Sequence, residues 1–301
     1  MLAPLVLALV LGQSPVSYVR SRVEKENPEA HCLFWTVPLL TWQLSSVGNP
    51  TSPDARKLRE FEAIRRSFQS WQDIFAAYGN LRIEEGPLVD ARDVGYVVKG
   101  PNRNIVLFRS RRCEDVVAST DACWEEETCG NLFDCWEHGG TTIGLTLTTY
   151  DEKSGIIYDS DIQLNASGFL FTTGDGGSCL PPVSTEDCVG TDVQNTMTHE
   201  IGHLLGLDHI QDDTSTMYSR APAGETSKRV IDPGSHKFIR ETYPQGQPSQ
   251  SCVTPSVSPS NANASLGPLA VGCTGVGAMV WLPSLAGFGL LLRRRRGGTR
   301  S

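Results

Sequence analysis

The stretch "THEIGHLLGLDHI", residues 198–210, decides how this chain is read, because it gathers His199, His203 and His209, three of six histidines, into eleven positions. His199 and His203 are four residues apart. On a helix of 3.6 residues per turn their imidazoles project about 40° apart and one turn apart, so two ring nitrogens can address one metal ion. If the helix simply continued, His209 would lie about 9 Å beyond His203 and about 240° around the axis, out of reach of that ion. Gly206 supplies the escape: lacking a Cβ, it can leave helical φ/ψ and let the chain turn back with His209 as a third ligand. Glu200 is too constrained to join the same ion but is placed to hold a water beside it. Three neutral imidazoles and one open position are what a catalytic zinc requires. The expected metal ligands are therefore His199, His203 and His209, with Glu200 as the general base.

Immediately upstream, "TDVQ" (191–194) has the Thr-x-x-Gln form of a capping box, which predicts a helix from Thr191 with Val193, Met197, Ile201, Leu204 and Leu205 on its buried side. Farther back, "TSPDARKLREFEAIRRSFQSWQDIFAAYG" (51–79) predicts a long helix. Ser52 with Pro53 gives a start signal, and Leu58, Phe61, Ile64, Phe68, Trp71 and Phe75 recur every three or four residues along one apolar stripe. Strands are expected at 37–46, 81–85, 104–109, 141–150 and 161–165. The last two are separated by a turn around Gly155, which makes them antiparallel neighbours. A mixed sheet with helices packed on it follows, of class α+β or α/β.

The extended pattern His-Glu-x-x-His-x-x-Gly-x-x-His resembles the metzincin zinc signature, and "STMYS" (215–219) supplies Met217 for the methionine turn that those proteins carry beneath the metal. "HEIGHLLGLDH" and "TMY" look most like the matrixin branch. The likeness extends to "RRSFQSW" for its first helix, "TTIGLTLTTY" for its edge strand, "DSDIQLN" for the next strand and "DPGSHKFIRETYP" (232–244) for its last helix. The resemblance implies an α+β, zincin-like fold: a twisted, mixed five-stranded sheet with packed helices and the zinc site on the active-site helix. It also implies a zinc endopeptidase whose peptide substrate lies antiparallel against the strand near 143–150, with Met217 as a packing floor. Ile210 and Ser219 stand where matrixins usually have serine and proline, and no Pro-Arg-Cys-Gly latency segment is present. The expected cofactor is one catalytic Zn2+. Structural Ca2+ or a second Zn2+ is left unassigned, because His138 and Asp175 read as loop residues. A non-proteolytic adhesin on the same fold is the alternative, though binding alone would not need Glu200.

Nine cysteines shape the rest. Setting aside Cys273 at the head of the tail, eight remain for the body, enough for four disulfides in an oxidising compartment. The cluster at 113–135 lacks the tight pairs of a zinc ribbon, Cys179 and Cys188 are close enough for a local bridge, and a disulfide is preferred to zinc inhibition for Cys32.

The ends read as export signals. "LAPLVLALVL" (2–11) suits the apolar core of a signal peptide over 1–14, although no basic residue precedes it. The catalytic domain is expected over 28–244 and a Ser/Pro-rich linker over 245–268. Over 269–301, Cys273 to Leu292 is long and apolar enough to span a bilayer, with "RRRR" following at 293–296. This tail resembles the C-terminal sorting signal of myxobacterial exported proteins, implying processing near Cys273 and attachment at the cell surface or outer membrane, or release outside the cell. The expected protein is thus bacterial, exported, monomeric, membrane-associated through its tail before processing, and a partner of protein or peptide substrates. A net charge of −8 argues against nucleic acid.

Overall fold

In the computed structural model, which describes residues 17–179 and 187–252 and the backbone of 266–274, a mixed sheet carries the helices that position the histidines. The strands run β1 (Val19–Arg20), β2 (Leu39–Leu44), β3 (Arg82–Glu85), β4 (Asn104–Arg109), β5 (Thr142–Asp151), β6 (Ile157–Asn165), β7 (Phe171–Thr172), β8 (Thr191–Asp192), β9 (Leu207–Asp208) and β10 (Leu266–Thr274). The helices are α1 (Asp54–Tyr78), the short α2 (Cys113–Val116), α3 (Cys123–Glu126) and α4 (Cys129–Phe133), then α5 (Val193–Leu204) and α6 (Pro233–Thr242). All five expected strands form, in the order β5-β6-β4-β2-β3, and β10 adds a sixth against the outer side of β5. β2 pairs in parallel with β3 and β4, β4 in parallel with β6, and β5 antiparallel with β6.

Side chains alternate across a strand, so the sheet has two unlike faces. Leu40, Trp42, Val106, Phe108, Ile162 and Leu164 join Phe61, Ile64, Phe68, Trp71 and Phe75 of α1 in one apolar core, with Trp42 stacked on Phe68 at 3.9 Å between centroids. Leu58, on the same stripe by spacing, is instead 67% exposed. At that end of α1 the preceding loop packs on a buried carboxylate: Asn49 Nδ2 and Ser52 Oγ donate to Glu60 Oε1 at 3.2 and 2.6 Å. Ser52 is therefore engaged with Glu60 rather than capping α1, and Pro53 takes the N-cap position. The opposite face is covered by the cysteine-rich insertion. There Arg109, fully buried, donates to Gln163 Oε1 and Asp134 Oδ1 at 2.8 Å each and to Asn131 Oδ1 at 3.1 Å.

The eight body cysteines form four disulfides: Cys32–Cys252, Cys113–Cys135, Cys123–Cys129 and Cys179–Cys188. The first ties the start of the stretch expected as a linker to the N-terminal region. That stretch also ends in structure, since Leu266–Pro268 open β10, and the apolar tail continues as extended strand to Thr274. The expected signal segment and residues beyond 274 lie outside the described residues, among which no helix is long and apolar enough to cross a membrane.

Candidate metal centre

Helix α5 begins one residue later than its capping-box pattern suggests. Thr191 sits in β8, and Asp192 is the cap: its Oδ1 accepts the Asn195 N–H at 2.7 Å while Oδ2 meets Arg229 at 2.6 Å. A carboxylate satisfies a free helical N–H and also favours the positive end of the helix dipole. At the other end the chain breaks where expected. Gly206 adopts φ +103°, and a Cβ there would stand 2.5 Å from the Leu33 carbonyl oxygen. The returning chain forms β9 antiparallel to β1, and this pairing carries His209 back beside the helix.

The outcome is a compact triangle of ring nitrogens. His203 Nε2 lies 3.1 Å from both His199 Nε2 and His209 Nε2, and the latter two are 3.2 Å apart. Tetrahedral zinc with Zn–N bonds of about 2.0–2.1 Å needs ligand nitrogens about 3.3 Å apart, so the donor set fits that ion. Second contacts fix the tautomers. His199 Nδ1 donates to Thr216 O at 2.7 Å and His203 Nδ1 to Leu207 O at 2.8 Å, which turns both Nε2 lone pairs inward. Burial, then the neighbouring imidazoles, hold His199 and His203 well below the usual histidine range, and burial lowers His209 to about 4. All three are neutral at pH 7, as ligation demands.

Glu200 is fully buried beneath β5. Thr146 Oγ1 donates to its Oε2 at 2.7 Å, and a Cβ added at Gly144 would stand 2.8 Å from its Oε1. Gly144 therefore lets the strand backbone lie directly over the carboxylate. Below the histidines, Met217 is buried against Gly202, where a Cβ would stand 2.3 Å from the methionine sulfur. Met217 is a floor, and Gly202 makes the room for it.

The helix backbone is clamped by aromatic donors. Trp35 Nε1 bonds Leu204 O at 2.8 Å and Tyr243 Oη bonds Leu205 O at 2.7 Å, so carbonyls at the end of α5 that the helix itself leaves open are satisfied, and Trp71 Nε1 adds a second bond at 3.0 Å to the mid-helix Thr198 O. Asp232 secures the methionine turn: its Oδ2 accepts Thr216 N–H at 3.0 Å while Oδ1 caps α6 through Gly234 and Ser235. Sequence reasoning assigned no role to Thr146, Thr216, Trp35, Tyr243 or Asp232. Gly144 and Gly202 did carry a signal, since a glycine inside a strand or helix pattern marks a close approach.

The remaining candidates go elsewhere. His138 packs edge-on against Trp136 at 5.1 Å, Asp175 pairs with Arg229, and Cys32 is held in its disulfide. Among the described residues, His199, His203 and His209 form the one group of three or more side chains able to share a metal ion.

Two histidines and a glutamate on one helix, a third histidine after a glycine break and a methionine beneath them are the arrangement expected of a zinc-binding helix of this type. Residues 108–244 match the family model of peptidase M10, the matrixins, which use zinc, and this supports a matrixin- or metzincin-like family for the chain. The chain matches no curated protein.

Proposed function

We propose that this protein is an exported zinc endopeptidase, with His199, His203 and His209 as the zinc ligands and Glu200 as general base and acid. The observation that carries it is the triangle of Nε2 atoms 3.1–3.2 Å apart with Glu200 buried one residue from His199. Zinc bound there would supply a Lewis acid that polarises a peptide carbonyl and acidifies water. Glu200, oriented by Thr146, takes the proton from the attacking water and delivers it to the leaving amine. An extended peptide presented along β5 would place its scissile bond over that carboxylate, because Gly144 and Thr146 of β5 are the residues in contact with it. Four disulfides accord with an oxidising, extracytoplasmic location. We assign the export itself to the N-terminal apolar run and surface retention or release to the arginine-ended tail.

The test compares wild type and Glu200→Ala on an unfolded protein substrate, with zinc content measured in both. The substitution should lower kcat/KM by about 10²–10⁴-fold at unchanged zinc content. Equal cleavage by the two would remove Glu200 from the mechanism, and no cleavage by a zinc-loaded protein, even one lacking residues 266–274, would favour the adhesin.

A further inference from the structure

β5 is the outermost strand of the five-stranded mixed sheet, so the backbone N–H and C=O groups along its outer side need a partner. In this structure they have one from the same chain. Residues 266–274 run antiparallel along the whole of β5, with Leu266 opposite Asp151, Val271 opposite Thr146, Gly272 opposite Leu145 and Cys273 opposite Gly144. Thr146 bonds Glu200, and Gly144 lies against its carboxylate. The segment Val271–Cys273 is therefore registered against the part of β5 that lies over the proposed general base, and α5 approaches β10 to within 8 Å between Cα atoms.

From this register we infer that residues 266–274 occupy, in cis, the edge on which an extended peptide would be bound, and that the tail holds the cleft closed to other peptides. The inhibitory part rests on the endopeptidase reading above; the occupancy does not. Strand addition to an open edge draws its affinity from main-chain hydrogen bonds, so a tethered segment competes with any free peptide at the effective concentration its tether sets. For short flexible linkers that is in the millimolar range. Between the disulfide-held Cys252 and Leu266 there are thirteen residues, a length of chain whose greatest reach is about 40 Å, enough to bring the segment across the domain.

The test uses the full chain carrying Glu200→Ala, so that no self-cleavage intervenes, and follows amide hydrogen exchange of residues 142–151. About half of these amides, those directed away from β6, should be protected. Adding Leu269→Pro with Ala270→Pro, which removes a strand donor whichever of the two faces β5, should speed their exchange at least tenfold, and a synthetic peptide of residues 266–274 should restore protection. In an otherwise wild-type chain the same two prolines should raise kcat/KM on a quenched peptide at least tenfold. Rapid exchange in the parent, or protection that survives both prolines, overturns the occupancy whether or not the protein is a protease. Protection lost from an active enzyme with no gain in cleavage overturns the inhibitory role, whereas loss of protection in a chain that cleaves nothing sustains the occupancy and counts against the endopeptidase reading alone.

Discussion

On the sheet face that carries α1 and α5, β4 and β6 bury Val106, Phe108, Ile162 and Leu164 with Ser160; on the opposite face Arg109, Asp159, Asp161, Gln163 and Asn165 are buried as completely, beside Ile105 and Leu107. The first face is held by apolar area and tolerates any hydrophobe of suitable shape. The second adds to the buried Ile105 and Leu107 a set of directional, partly charged contacts under a loop and a disulfide-bonded insertion. Arg109 reaches three acceptors there, and Asp161 takes the backbone N–H groups of Gly95 and Ile105 at 2.6 and 2.8 Å. The histidine triangle is built on the apolar side, where helices can be locked by packing. The polar side fastens the loops around it, and the two should fail in different ways.

The sharpest contrast comes from Arg109→Met. It strips a donor from Asp134, Gln163 and Asn131 at once; Asp134 is 39% exposed and keeps Arg92, so the main loss is the stranded acceptor of the buried Gln163, about 1–3 kcal/mol. A urea or thermal melt should show that loss while a neighbouring apolar exchange, Ile162→Val, costs about 0.5–1.5 kcal/mol. Similar values for the two would erase the distinction between the faces. Comparable in size is Gly202→Ala, which puts a methyl where the Met217 sulfur lies, an overpacking expected to cost about 1–3 kcal/mol. Because α5 carries two of the three nitrogens, zinc affinity should fall with it, and a competitive chelator titration measures this. An unchanged affinity would mean that the floor and the ligands are independent.

The smallest effect is a pH dependence. Burial pushes Asp159 up to about 6, and burial with the adjacent Asp159 carboxylate pushes Asp161 well above the usual range. A folded-state pKa above the unfolded value of about 3.9 means that the native state binds more protons in between. Stability contributed by the protonated pair is therefore full at low pH and is lost as pH rises toward 6. Asp159→Asn should raise Tm by a few degrees at pH 7.5, corresponding to about 1 kcal/mol, with the gain gone at pH 4. A gain of equal size at both pH values would show that charge is not its origin.

The apolar face and the site on it were legible because periodicity reports burial. The stripe of α1, the buried side of α5 and the five strands all lie where spacing puts them, within a residue or two for most ends. Leu58 was misplaced because periodicity says which face a residue joins, not whether anything covers that end of the helix. The cap of α5 was misassigned to Thr191 because Asp192 is a better acceptor once Arg229, distant in sequence, is beside it. The polar face left little trace: an arginine at the end of β4 looks solvent-exposed until the insertion is folded over it.

The sequence by itself determined the donor set of the candidate metal centre, since a four-residue histidine spacing and a glycine break are local consequences of helix geometry. It also determined that eight cysteines could pair, and for Cys179 and Cys188 that a local bridge was within reach. Tertiary structure alone decided that β1 would hold β9 and so return His209, that Gly144 and Thr146 would lie over Glu200, that Cys32 would find Cys252, and that residues 266–274 would lie along β5. The reason is common to all four: each depends on contacts between segments far apart in the chain, whose closure is set by the assembled core rather than by any local pattern of residues.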